Sequence, residues 1–378
     1  MRLARWGIIA ILVLAYGCGD DGESGTGGVT VNPGQSIQAA IDAASPGDTI
    51  NVMPGDYTES QATLAAIMVT KPLKLIAKSN RPSSKVRILP TGSQHDGILV
   101  APANEGDPDI DGVEISGFTV EGFSNNGIWL RHVKNFTIDN NETINNLENG
   151  IWPTLSANGL VKKNVSYGSQ DSALWVEGSE NVRVMDNELH HSPTGLEITV
   201  SNEVTAESND VHDNTVGVGL YHPAAAGLPP LMPLSLNGYW HIINNHVYNN
   251  NQASTAPGGM AAQIPPGGGI LVLGVDHVDL QQNHIDGNDF FGIAMIDYCV
   301  AVKGSDFDCA TNPPEVSDTS PDNNMFIGNV LTGNGLNAPP GSFHDLAADI
   351  IGLGGKNNCA SGNTATKLVL LPDLPSCS

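Results

Sequence analysis

The chain has 378 residues, 40% of them apolar but only 5% aromatic, with 43 Gly and 24 Pro. Its 16 Lys and Arg stand against 40 Asp and Glu, a formal charge of −24. That balance excludes a nucleic-acid surface, which needs a basic footprint, and it disfavours a bare polyanion as ligand unless bound cations invert the local field.

At the N-terminus, Arg2 and Arg5 precede an apolar run from Gly7 to Ala15. The run is short for a membrane span and has the build of an export signal. It leads into Leu14-Ala15-Tyr16-Gly17-Cys18, and there it resembles a bacterial lipoprotein signal. The resemblance implies that residues 1–17 are removed and that Cys18 carries the lipid. Residues 18–28 are acidic and glycine-rich and read as a flexible tether. Residues 29–378 are expected to form one elongated domain. It would sit in the cell envelope, facing the periplasm or the cell surface, and touch the membrane only through its anchor.

The domain opens with a strand at Val29-Thr30-Val31 and a short helix over Ser36 to Ala44. Ile37, Ala40, Ile41 and Ala44 share one helical face, Ser36 is suited to the N-cap, and Pro46-Gly47 stops the helix. An amphipathic helix here would cover the open end of a sheet, whose unpaired strand edges need protection. Next comes a four-beat phrase, a small residue followed by apolar, outward, apolar. It begins at Gly127, Gly150, Ala173, Gly195 and Gly217, advancing by 23, 23, 22 and 22 residues, and resumes at Gly269 and Gly292. A second phrase ends at Asn141, Asn164, Asn187, Asn209, Asn245 and Asn283 in the same rhythm. Fixed periods in this range mark a solenoid, and alternation at period two makes each piece a strand with one buried face. The asparagines are expected to stack as a ladder at a tight turn, where Asn tolerates left-handed backbone.

Four segments interrupt the rhythm: Ala101 to Gly112, Tyr221 to Tyr239 with its Leu228–Leu234 proline-rich run, Gln252 to Gly268, and Cys299 to Asn324. Loops this long in a regular solenoid serve as binding walls or lids. Four cysteines remain after Cys18, and in an exported chain they imply two disulfides. Three connectivities exist; proximity favours Cys299–Cys309 and Cys359–Cys377.

The stretch Val31 to Asp42, Pro46-Gly47-Asp48-Thr49-Ile50 and Pro54-Gly55-Asp56-Tyr57, together with the Gly-Ile-x-Leu and Asn-x-Ile beats, resembles right-handed parallel β-helix proteins of the pectin-lyase-like superfamily. The fold implied is all-β, a single-stranded parallel β-helix of 22–23-residue coils with a short N-terminal capping helix. The signal and the cysteine-bearing tail resemble exported β-helix lipoproteins of bacteria.

Trp129, Trp152, Trp175 and Glu197 occupy one outward phase of four successive coils. The three indoles read as an aromatic platform for sugar rings, with Arg131 beside it. Alternatively, the loop from Tyr221 folds over them as a satellite core. Tyr167, His190, His212 and Tyr248 share another phase, where paired imidazoles can bind a transition metal or exchange protons. Asp107, Asp109 and Asp111 precede Gly112 and offer hard oxygen ligands to calcium. The signatures of the superfamily's enzymes are absent. Gln170-Asp171-Ser172-Ala173 has one acid where polygalacturonases have two, and the Tyr-Gly-x-Asp-Pro-His of alginate epimerases is missing.

The expected task is binding of a polysaccharide or envelope partner along the face of Trp129, Trp152 and Trp175. Cleavage or epimerisation would fall to Asp171, Glu197 and His190, with Glu148 as another partner for Asp171. Two other classes stand beside this reading. One is a non-catalytic envelope scaffold. The other is a copper-handling periplasmic accessory protein, against which the lack of Met and Cys clusters counts.

Overall fold

A computed structural model describes residues 28–59, 64–79, 84–226, 237–341, 344–371 and 374–377. The export signal, Cys18, all of the tether but Gly28, and the Leu228–Leu234 run lie outside the described residues. Among those described, no helix is long and apolar enough to cross a membrane.

Among the described residues three sheets, of 12, 10 and 11 strands in the order the chain visits them, run the length of the domain, and hydrogen-bonded neighbours come from successive coils. One turn of the chain passes through the first sheet (Val133–Asp139), the second (Glu142–Ile144) and the third (Ile151–Thr154). The next coil repeats this with Ala157–Lys162, Val165–Tyr167 and Ser172–Glu177. Pairing is parallel in each sheet, and the register is offset by the coil length, as in Glu142↔Val165 and Val165↔Glu188.

Ile, Leu and Val fill the space between the sheets, for example Ile128, Leu174, Val184, Leu189, Leu196 and Ile242. The small residue opening each third-sheet strand has a steric cause. A Cβ on Gly150 would lie 1.9 Å from Ser166 Oγ of the second sheet, and one on Gly195 would lie 2.5 Å from Val211 Cγ1. The interior is narrowest there, so the repeat keeps small residues at that beat. The helix Ile37–Ala43 covers the N-terminal end, with Ile37 and Ile41 buried and Ser36 Oγ accepting from Ala39 N–H at 3.0 Å. Glu59 adds to this cap, accepting from the Ile37 N–H at 2.7 Å. Both disulfides take the connectivity that proximity favours, Cys299–Cys309 and Cys359–Cys377.

The asparagine ladder is continuous and buried. Asn141 donates to Asn164, Asn164 to Asn187 and Asn187 to Asn209, with Nδ2···Oδ1 distances of 3.1, 2.9 and 2.9 Å. Each side chain also donates to a carbonyl one coil back, as Asn187 does to Val161 at 3.0 Å. The left-handed residue is the one before each ladder Asn: Asn140, Lys163, Asp186 and Ser208 have φ between 53° and 56°. The turn is made by that residue, which leaves the asparagine free to point inward. A second ladder, Asn214, Asn250, Asn288 and Asn334, runs parallel to the first with distances of 2.9 to 3.1 Å.

Asn187→Ala would remove both acceptor bonds from Asn164 and both of its own donor bonds. Each buried polar group left unpaired costs about 1–3 kcal/mol, so urea denaturation should register a loss of several kcal/mol. Asn181→Gly, which removes an exposed pair to Asn158 at 2.8 Å and keeps a residue suited to the φ of 52° there, should change stability by less than about 0.5 kcal/mol.

Candidate functional site

On the outward face of the third sheet, one register column carries Leu99, Trp129, Trp152, Trp175, Glu197, Gly219 and Leu271. The indoles stack at 5.0 and 5.2 Å between centroids, with planes 13° and 14° apart. Neighbours this close cover much of one another's faces. The stack therefore presents ring edges sideways rather than the flat platform expected from sequence. Trp129 and Trp152 are partly exposed, and Trp175 is only 6% exposed.

A second outward column holds Arg131, Thr154, Glu177, Thr199 and Tyr221. Its threonines serve the indoles: Trp129 Nε1 donates to Thr154 Oγ1 at 3.1 Å and Trp175 Nε1 to Thr199 Oγ1 at 2.8 Å. Glu177 occupies the equivalent place for Trp152. It is 1% exposed, and neither of its carboxylate oxygens nor the Trp152 N–H finds an aligned hydrogen bond. Burial pushes the Glu177 carboxyl up to about 7; the nearby indole N–H offsets this only in part, and the charge of Asp171 adds to it.

Gly219 makes room at the end of the indole column. A Cβ there would meet the Tyr221 ring at 2.2 Å, so the phenol lies across the strand, its hydroxyl 3.4 Å from Thr194 Oγ1. Glu197 sits between Trp175 and this glycine in the column. It is 6% exposed and accepts from Ser172 Oγ at 2.6 Å. Burial first, and then the charge of Asp171, hold its carboxyl well above the usual range. Asp171 is raised to about 6 by burial and by Glu148. Glu148 occupies the equivalent position one coil earlier, its carbonyl accepting from the Asp171 N–H at 3.1 Å.

These groups border a cleft of about 330 Å³ lined by Glu148, Trp152, Asp171, Trp175, Glu197 and Tyr221, among others. Ala225 and residues 256–261 of the Gln252–Gly268 loop form its wall. A separate apolar cluster lies farther along the sheet, where Tyr221, Leu271, Phe290, Phe291 and Tyr298 pack beside that loop and the Cys299–Cys309 segment. Residues 227–236, the alternative cover for the indoles, lie outside the described residues. Among the described residues the cleft is open toward the partly exposed indoles and walled toward the C-terminal coils.

The structure brings Asp171, Glu197, Trp152 and Trp175 together and continues the stack to Trp129. Arg131 borders a separate hollow with Ala101–Asp107, Asp109 and His132. His190 lies on the second sheet, stacked between Tyr167 and His212 at 4.7 and 5.0 Å, and does not line the cleft. Asp107, Asp109 and Asp111 do not converge: Asp107 accepts from Asn104, Asp109 from Lys134 and Asp111 from Asn135. Glu177 and Tyr221 escaped the sequence reading. Their signals were the register position shared with two threonines and the glycine two residues before the tyrosine.

A family model described as "Right handed beta helix region" matches residues 86–226. No curated protein sequence matches the chain. The A-module of the Azotobacter vinelandii mannuronan C-5 epimerase AlgE4 superposes with a TM-score of 0.59 at 12% identity, covering 90% of this chain and 94% of that one. A mutant of DFA-IIIase from Arthrobacter chlorophenolicus A6 gives 0.58 at 17% identity, with 92% and 84% covered. Pectate lyase Pel9A gives 0.51 at 14%, with 89% and 80% covered. The chain is a right-handed parallel β-helix. In this β-helix the cleft is read from its own residues, since fold carries no activity by itself.

Glu177→Thr would extend the threonine column and give the Trp152 N–H a partner. The Glu177 carboxyl titrates at about 7 in the folded chain, against roughly 4.3 when unfolded. The native state therefore holds the extra proton between those values, and stability falls as pH rises through 7. Thermal melts should give the variant a higher Tm at pH 8, on the order of 1–3 kcal/mol of stabilisation, and a smaller advantage at pH 5.

Proposed function

We propose that the protein is exported and that it binds and hydrolyses a neutral glycan in the third-sheet cleft. The observation that carries this reading is that two carboxyl groups, the buried Glu197 and the half-buried Asp171, line one cleft beside the last indoles of the stack; burial raises both, Asp171 to about 6 and Glu197 well above the usual range. Two carboxyl groups with separated titrations are what glycoside cleavage requires. Glu197 gives its proton to the leaving glycosidic oxygen. Asp171 balances the positive charge that builds on the sugar ring as that bond breaks; water then bonds to the anomeric carbon and gives up a proton that restores the acid form of Glu197. The edges of Trp152 and Trp175 supply apolar contact for the sugar's C–H faces.

Charge favours a neutral substrate. Among the described residues no Lys or Arg lines the cleft, and a uronate carboxylate would face Glu148, Asp171 and Glu197 with no counter-ion, which costs free energy. Mannuronan, named for one structural neighbour, and pectate, named for another, are on this ground disfavoured for this chain. The two disulfides support export, because they persist in oxidising compartments.

Screening against neutral oligosaccharides by product chromatography tests the proposal. Asp171→Asn should lower kcat by at least ~10²-fold while leaving glycan binding within a few-fold. Trp152→Ala should weaken binding chiefly. The acid limb of the rate profile should rise as Asp171 ionises near pH 6, and the rate should fall at higher pH as Glu197 loses its proton. Activity confined to uronate polymers, or unchanged in Asp171→Asn, would overturn it.

A further inference from the structure

The second sheet has an outer face of its own, remote in the coil from the cleft. Its strands from Glu142 onward are three residues long with the middle residue buried, as in His246–Tyr248 and His284–Asp286. The first and third residues point outward and stack in two columns. One column runs Glu188, Asp210, His246, His284, and the other His190, His212, Tyr248, Asp286.

At the C-terminal end of this grid three ligating side chains converge. The rings of His246 and His284 stack at 4.9 Å, 7° from parallel. Both turn an ε nitrogen toward one oxygen, Asp286 Oδ1, at 2.8 Å for His246 and 3.8 Å for His284. The ligating atoms of His246, His284 and Asp286 all lie within 4.8 Å of one another. The other ring nitrogen of His246 faces Asp210 Oδ1 at 3.8 Å, a buried oxygen without a hydrogen-bond partner.

We propose that His246, His284 and Asp286 bind one divalent transition-metal ion of the zinc or copper(II) class. Two imidazoles and a carboxylate form a borderline donor set that suits such ions and not calcium, which takes oxygen ligands only. An ion held at about 2.0–2.1 Å in tetrahedral geometry draws its ligand atoms to roughly 3.3 Å apart. The imidazoles are partly exposed, with side-chain exposures of 43% and 54%, so small rotations of both rings close the remaining gap. Asp210 supplies the carboxylate behind the histidine that orients a ligating ring and raises its basicity. The Asp210 carboxylate, which also lies beside the Tyr248 hydroxyl, would thereby face the metal-bound ring from behind. The cluster Glu188, His190 and His212 is less complete: Glu188 Oε1 lies 4.0 and 3.5 Å from the two ε nitrogens, and His212 is already engaged by Asp213 at 2.9 Å.

The test is calorimetric titration of the chelator-treated protein with zinc chloride and, separately, copper(II) chloride, with calcium chloride as the hard-ion control. The expected result is saturable binding of one ion per chain for at least one of the two metals and none for calcium. His284→Ala and Asp286→Asn should each weaken it at least tenfold, and Asp210→Asn by about 10- to 100-fold. His241→Ala, which removes a His–Asp pair on the first sheet, should leave it unchanged, and circular dichroism should be native for every variant. Absence of saturable binding of both metals would overturn the proposal. So would binding that survives His284→Ala and Asp286→Asn, or an ion lost from His190→Ala but kept by those two variants.

Discussion

Every feature of this protein depends on one constraint, the vertical registration of coils at the inter-strand distance of about 4.8 Å. Backbone pairing alone would permit slippage, although a one-residue shift would turn each strand's buried face outward. The buried asparagine ladders remove that freedom. Asn187 bonds the coil before it and the coil after it through the same amide, so a slip of one residue would strand several polar groups in the interior. Once the ladder is set, a side chain's position in its coil determines its neighbours above and below.

That registration turns sequence columns into chemical surfaces. Residues 23 apart become a stack of indoles, and a threonine column beside it bonds two of the three indole N–H groups. Where the pattern is broken, the breaks gather in one place. Glu197 replaces a fourth indole, Glu177 replaces a threonine, and Gly219 admits the ring of Tyr221. Each substitution is unfavourable for a purely structural rod, because it buries charge or forgoes packing. Glu197 and Tyr221 line the cleft, and Glu177 and Gly219 are their neighbours in the same two columns, which is why the cleft, rather than the length of the rod, carries the functional reading.

The fold was legible because a solenoid repeats its rules. The beat beginning at Gly127 and the asparagines from Asn141 determine strand order, sheet number and register, and the cysteine spacings anticipated both disulfides. The site was legible in part. Glu197 and the tryptophans were found because the repeat assigns them a phase, and Asp171 because its segment resembles one in which polygalacturonases carry acids. Glu177 was not, since its meaning appears only when Thr154 and Thr199 are seen to bond the indoles on either side. The convergence of His246, His284 and Asp286 was hidden because an insertion lengthens the spacing between two of the coils, which breaks the 22–23-residue rhythm that exposed the other columns. The tilt of the indoles, which decides between faces and edges, is a rotamer property that no periodicity encodes.

The central claim is that stacking places carboxyl groups where burial keeps a proton on Glu197 near neutral pH. Difference infrared spectroscopy reads this directly as the carbonyl stretch of a protonated carboxyl group, taken as wild type minus Glu197→Gln at pH 6.5. A protonated-carboxyl band that disappears in the variant is the predicted result. A spectrum in which every carboxyl group is already ionised at pH 6.5 would contradict the account.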